Sequence, residues 1–164
     1  MSELADLLER FRRGAELLAV ATTGAAGTEL DFKPAPEKWC VRQVVCHLAD
    51  FEAVSVMRLR QVLAEANPVL QAFNGELWAE RLDYGKRKIS HTLETFRQLR
   101  TENYELLKDL PEEAWSRSGR HTEDGVRTVR ELVRGSAEHV EEHVKQIQTV
   151  RAAYREHKSK QAAG

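Results

Sequence analysis

The chain has little of what would mark an exported, membrane-bound or nucleic-acid-binding protein. Its 164 residues hold two cysteines, Cys40 and Cys46. Read on one helix, positions six apart point about 120° from each other, so the pair does not bridge, and reduced thiols in the cytoplasm are expected. No stretch of about 18 apolar residues occurs, so no helical membrane span is expected. The opening Met1-Ser2-Glu3-Leu4-Ala5-Asp6 has no basic segment leading into an apolar one, so no export signal is expected either. Neither sign of charge is in excess: 25 Lys+Arg against 26 Asp+Glu leave a formal net charge of -1. That balance supplies no broad basic surface for nucleic acid and no polybasic membrane patch. Strand-like alternation and internal repeats are missing as well.

What the chain has is helical periodicity. Leu4, Leu8, Phe11, Ala15 and Leu18 recur at threes and fours and predict a helix over about residues 2–21, with Ser2 as its N-cap. Gly24, Gly27, Pro34 and Pro36 then make a long loop. A second helix opens at Trp39-Cys40-Val41, buries Val44, Leu48, Phe51 and Val54, and stops near Ala66 before Asn67-Pro68. Trp78 and Leu82 are the expected packing anchors of a less regular segment. A third helix, over about residues 85–108, turns Ile89, Leu93, Phe96, Arg100, Tyr104 and Leu107 inward and leaves His91 on the surface. Residues 116–125 read as a polar loop carrying an exposed His121. The fourth helix begins near Arg127 or Thr128, where Thr128 and Glu131 are spaced as a capping box, and continues to about Glu156. The expected fold is all-α: one four-helix-bundle domain over residues 1–157 with long crossover connections, then a disordered tail over residues 158–164.

The fourth helix contains Glu138-His139-Val140-Glu141-Glu142-His143. Residues four apart lie only about 40° from eclipsed, so His139 and His143 share a face. They fall within the stripe Leu132, Val133, Val140, Ile147, Val150 and Tyr154, and so point inward. Two buried neutral imidazoles each leave a ring nitrogen in need of a partner, and a metal ion satisfies both. His47 lies between Phe51 and Val54 around the axis of the second helix and faces inward too. Three protein ligands with a position left open is the pattern of a catalytic metal site. His47, His139 and His143, three inward histidines on two helices, are therefore candidate ligands of one divalent ion, with zinc, nickel, iron and copper all suited to imidazole, and a satisfied core histidine is the other reading of His47. Asp50, Glu138 and Glu142 are candidates to hydrogen-bond those imidazoles, although Glu142 points about 100° away from His143. Cys46, next to His47, reads as a small core residue.

Two motifs carry a family resemblance over nearly the whole chain. One is Pro36-Glu37-Lys38-Trp39 leading into a helix with His47 about two turns in; the other is Thr128-Val129-Arg130-Glu131-Leu132 leading to His139-x3-His143. In these the chain resembles the DinB-like superfamily of metal-binding four-helix bundles, which includes the YfiT-like proteins. Cys40 is a departure, since a serine or threonine usually caps the second helix there. The resemblance implies one divalent metal on the three histidines, in a cavity at one end of the bundle. It also implies an activity: a metal-dependent enzyme activating a low-molecular-weight thiol for S-transfer to an electrophile, or for a related isomerisation. No catalytic side chain beyond the three ligands is named. Two other readings stand beside it, a non-catalytic metal-stabilised module that dimerises and a metal-dependent hydrolase. The partners expected are a small thiol, an electrophilic substrate and a second copy in a homodimer, with neither nucleic acid nor membrane.

Overall fold

A computed structural model describes residues 2–164. Local capping sets where its helices start. Helix α1 (Glu3–Thr22) follows Ser2, whose hydroxyl accepts the Ala5 N–H at 3.2 Å. Helix α2 (Val41–Ala64) follows Cys40, a weak capping residue, and the Gln43 side chain reaches back to accept the Cys40 N–H at 3.0 Å. Asn74 caps the short α3 (Gly75–Arg81), and α4 spans Ile89–Leu107. Helix α5 (Val129–Ala163) starts from the predicted box: Thr128 Oγ1 accepts the Glu131 N–H at 3.1 Å and Glu131 accepts the Thr128 N–H at 2.8 Å.

Helices α1 and α2 each pack against both α4 and α5, which places α1 and α2 on one diagonal of a four-helix bundle. Chain neighbours on a diagonal need a long connection, hence the glycine- and proline-rich crossover between them. No helix among the described residues is long and apolar enough to cross a membrane.

Three expectations need correcting. The polar loop over residues 116–125 is mostly a hairpin of β2 (Ser118–His121) and β3 (Gly125–Thr128), and β1 (Val69–Leu70) joins β2 in parallel, pairing Leu70 with His121. Alternation was hidden because the inward positions of β2 are Gly119 and His121. His121 is accordingly buried, not exposed. Secondly, α5 continues through the predicted tail to Ala163. Its last turns are rich in helix formers, and Lys160 pairs with Glu156 one turn back at 2.9 Å. Thirdly, the segment before α4 holds α3 and a separate 3-10 turn, Tyr84–Lys86; there Trp78 packs beside buried Cys46, Ala79 and Tyr84, while Leu82 is exposed.

Besides the small group of Cys46, Ala79 and Tyr84, the interior has two large apolar clusters. One joins Leu18, Val44, Leu48, Phe96, Val144 and Ile147, the other Leu7, Phe11, Leu59, Leu107, Val129 and Val133. Between them runs a polar crossing. Arg100 of α4 donates through Nε and Nη2 to the two carboxylate oxygens of Glu52 on α2, at 2.9 and 2.8 Å. It also donates to the Phe11 carbonyl of α1 at 2.8 Å and to the Ser136 carbonyl of α5 at 3.4 Å, so one side chain touches all four long helices. Asn103 adds a bond to Glu52 at 3.0 Å. Gly14 makes room: a Cβ there would lie 2.5 Å from Arg100 Nη1.

Candidate metal centre

His47 on α2 and His139 and His143 on α5 come together where these two helices face each other. Their Nε2 atoms converge: His139 Nε2 stands 3.0 Å from that of His47 and 3.1 Å from that of His143. Tetrahedral zinc bound to imidazole at about 2.0–2.1 Å sets nitrogens roughly 3.3 Å apart, so these two separations are close to the span a first-row divalent ion needs, and the three ligand atoms all lie within 4.8 Å of one another. With the three Nε2 atoms turned to one point, the protons of neutral rings belong on Nδ1. His143 Nδ1 then donates to Gln146 Oε1 at 2.7 Å, an outer contact of the kind that fixes a ligand imidazole. The Nδ1 atoms of His47 and His139 are buried without a hydrogen-bond partner. A set of three imidazoles, neutral and aimed at a common centre, fits a divalent ion.

Packing holds the rings in place. Phe51 lies against His139 with centroids 4.1 Å apart, and Trp39 is stacked near-parallel to His143, 11° between planes. Phe73 flanks His47. His47 also lies against the backbone of α3, where a Cβ at Gly75 would be 3.0 Å from His47 Cε1. The fused aromatic and glycine surfaces leave the imidazoles little rotational freedom.

Burial is the main reason that His47 is pushed down to about 4 and His139 to about 3, with neighbouring imidazoles adding to it. His143 is also lowered by burial, with the Gln146 contact opposing. The sign of the consequence follows from the lower folded values. The unfolded chain takes up protons near the ordinary value of 6.5 while folded His47 and His139 do not, so the stability they permit is complete above pH 6.5 and is lost as pH falls toward 4. Metal-free protein is expected to lose up to about 1.4 kcal/mol per pH unit for each such histidine, measured by urea unfolding between pH 7.5 and 5. Unchanged midpoints across that range would contradict the burial of neutral rings.

The carboxylates expected around the centre do other jobs. Asp50 accepts the Tyr84 hydroxyl at 2.6 Å and pairs with Arg87 at 2.7 Å, anchoring the turn before α4. Glu142 is exposed, and Glu138 lines the cavity next to His139 without bonding a ligand ring. Gln146 was missed, although three residues beyond His143 it shares that face of α5. Cys46 is fully buried, its thiol pushed up to about 11 chiefly by that burial, and its Sγ faces the Tyr84 carbonyl, away from the histidines.

Among known proteins, the sequence model of the DinB superfamily matches residues 10–147. A protein of Oceanobacillus iheyensis named "putative metal-dependent hydrolase" is 32% identical over 109 residues, 66% of this chain and 63% of that protein. One of Halalkalibacterium halodurans with the same name is 27% identical over 110 residues, 67% and 64% of the two chains. The matches thus span less than two thirds of these relatives. In structure, YfiT from Bacillus subtilis, described as "a probable metal-dependent hydrolase with an unusual four-helix bundle topology", superposes with a TM-score of 0.84 at 23% identity, covering 92% of this chain and 87% of that one.

Proposed function

The chain belongs to the DinB superfamily, and from that premise we propose that it is a metal-dependent enzyme, with His47, His139 and His143 holding one divalent ion that activates a small thiol for transfer to an electrophile. The observation that carries this reading is the convergence of three Nε2 atoms on one point beside a cavity. A divalent ion on three neutral ligands supplies an acidifying, open position for a thiol or water molecule. The protein's own part is to keep the imidazoles neutral by burial and to hold them between Trp39, Phe51 and Phe73. These aromatic walls favour a soft, weakly hydrated nucleophile such as a thiolate over a strongly hydrated one.

Hydrolysis is the second reading. It is favoured by the names of the relatives and by Glu123, which lines the cavity shared by His47 and His139 and could serve a water molecule as base.

Cobalt-substituted protein separates the two. Under the thiol reading, titration with 2-mercaptoethanol gives a saturable sulfur-to-cobalt charge-transfer band, and thiol is consumed one for one with an alkylating electrophile such as monobromobimane faster than in the absence of protein. A thiol-independent acceleration of ester or phosphoester cleavage with no such band would replace it with hydrolysis. Loss of neither substrate, with metal bound, would leave a binding module; the proposed homodimer is checked alongside by sedimentation at micromolar concentrations.

A further inference from the structure

One buried cation near the histidines has no charge to match it. Arg58, on α2, is 8% exposed. Its Nη2 donates to the Gln71 carbonyl at 2.8 Å, its guanidinium lies 5.9 Å from the centre of the Phe73 ring, and its Nε is buried with no hydrogen-bond partner. Arg100, the other deeply buried arginine, is by contrast saturated by Glu52. The acid whose charge acts on Arg58 is Asp124, which is exposed and forms no ion pair with it among the described residues. A desolvated guanidinium without a counter-charge is unfavourable, and it is more readily kept where an anion arrives from outside.

His121 stands in the same cavity. Its Nδ1 accepts the backbone N–H groups of Glu123 and Asp124 at 3.3 and 3.1 Å, with Asp124 Oδ2 a further 3.4 Å contact. Two donors on Nδ1 assign the proton of the neutral ring to Nε2. That N–H forms no hydrogen bond among the described residues, and unlike Arg58 Nε it is open to the cavity rather than sealed from solvent, on a residue 7% exposed. Arg58, His121 and His139 together line a cavity of about 450 Å³, large enough for a small molecule, and a smaller adjoining one that also reaches His47. Of the acids there, Glu131 is engaged by the α5 cap, while Glu123, Asp124 and Glu138 are exposed at the rim.

We propose that Arg58 and His121 form an oxyanion subsite, placed to hold a carboxylate or phosphate on the molecule whose reacting atom reaches the three histidines. The inference rests on the metal-site reading above and adds a substrate class to it: the substrate is an anion at the end remote from the reacting atom. Arg58 supplies the charge and His121 a directed N–H.

The test pairs thiols that differ only at the far end. Mercaptoacetate, 3-mercaptopropionate and 4-mercaptobutyrate are titrated into cobalt-substituted protein against their hydroxyl counterparts, following the sulfur-to-cobalt band. At one chain length at least, the carboxylate is expected to bind about 10- to 100-fold tighter, the size of one charge-assisted hydrogen bond. The preference disappears in Arg58→Gln and shrinks in His121→Asn, whose side-chain oxygen still serves the turn N–H groups. Separately, metal-free protein is titrated with succinate and with inorganic phosphate by calorimetry. Thiol bands with no carboxylate preference, or a preference that survives in both variants, would overturn the subsite while leaving the metal reading intact. No thiol band, but anion binding to metal-free protein that both variants lose, would support the subsite and remove the thiol reading; the tighter anion then says whether a carboxylate or phosphate is held. Neither band nor anion binding would overturn the subsite as well.

Discussion

A Glu52→Ala variant is expected to lose about 3–5 kcal/mol of unfolding free energy, the largest stability effect of any single exposed or buried carboxylate in the chain. Glu52 is 0% exposed and Arg100 1%, so removing the acid leaves a guanidinium in the interior with no counter-charge and no route to water. The remaining contacts of Arg100, to the carbonyls of Phe11 and Ser136 and over the rings of Phe11 and Phe96, stabilise it only in part. Removing both charges together, in Glu52→Leu with Arg100→Met, should recover much of the loss, because no unpaired ion is then buried. Urea unfolding of metal-free wild type, Glu52→Leu, Arg100→Met and the double variant measures the coupling directly, with Glu52→Ala followed alongside. A single Glu52→Ala loss below about 1 kcal/mol would mean that the pair is worth no more than a surface bridge.

The second large effect falls on metal binding. His139→Ala is expected to weaken divalent-ion affinity by more than about 100-fold, beyond the losses typical when only an outer partner is removed. His139 is the middle member of the cluster, within 3.1 Å of both other Nε2 atoms, and without it His47 and His143 no longer share a neighbour. The fold should survive, since His139 takes no part in the polar crossing or in either apolar cluster. Elemental analysis after dialysis against a chelator, with circular dichroism on the same sample, reads both quantities. Retention of one equivalent at wild-type affinity would remove His139 from the ligand set.

The long helices were legible because nothing competes with a 3.6-residue period carried on one face, and because Ser2, Thr128 and Glu131 announce their caps. The hairpin was not: a strand whose inward residues are a glycine and a histidine offers no hydrophobic alternation to read. The inward placement of the three histidines could be read from spacing and stripe position, and that they share one site was implied by the family resemblance. Their outer contacts could not, since proximity along a helix does not say which neighbouring element supplies a partner; Asp50 turned to Tyr84 and Arg87 of the next segment. Arg58 was within reach of the sequence. It follows His47 and Phe51 on the same face of α2 at helical spacing, and a cation there is out of place in an inward stripe.

The polar crossing has a consequence for alignment along the bundle axis. Apolar ridges tolerate small slips, but the bonds of Arg100 to Glu52 and to the Ser136 carbonyl are met at one setting only. Glu52 lies five residues beyond His47 on α2, about 7.5 Å along the axis, and Ser136 three residues before His139 on α5, about 4.5 Å. A slide of one residue between α2 and α5 would break the crossing and carry His139 about 1.5 Å away from His47. The crossing therefore acts as a key in a slot: groups that never meet the ion decide whether its ligands arrive at the same height.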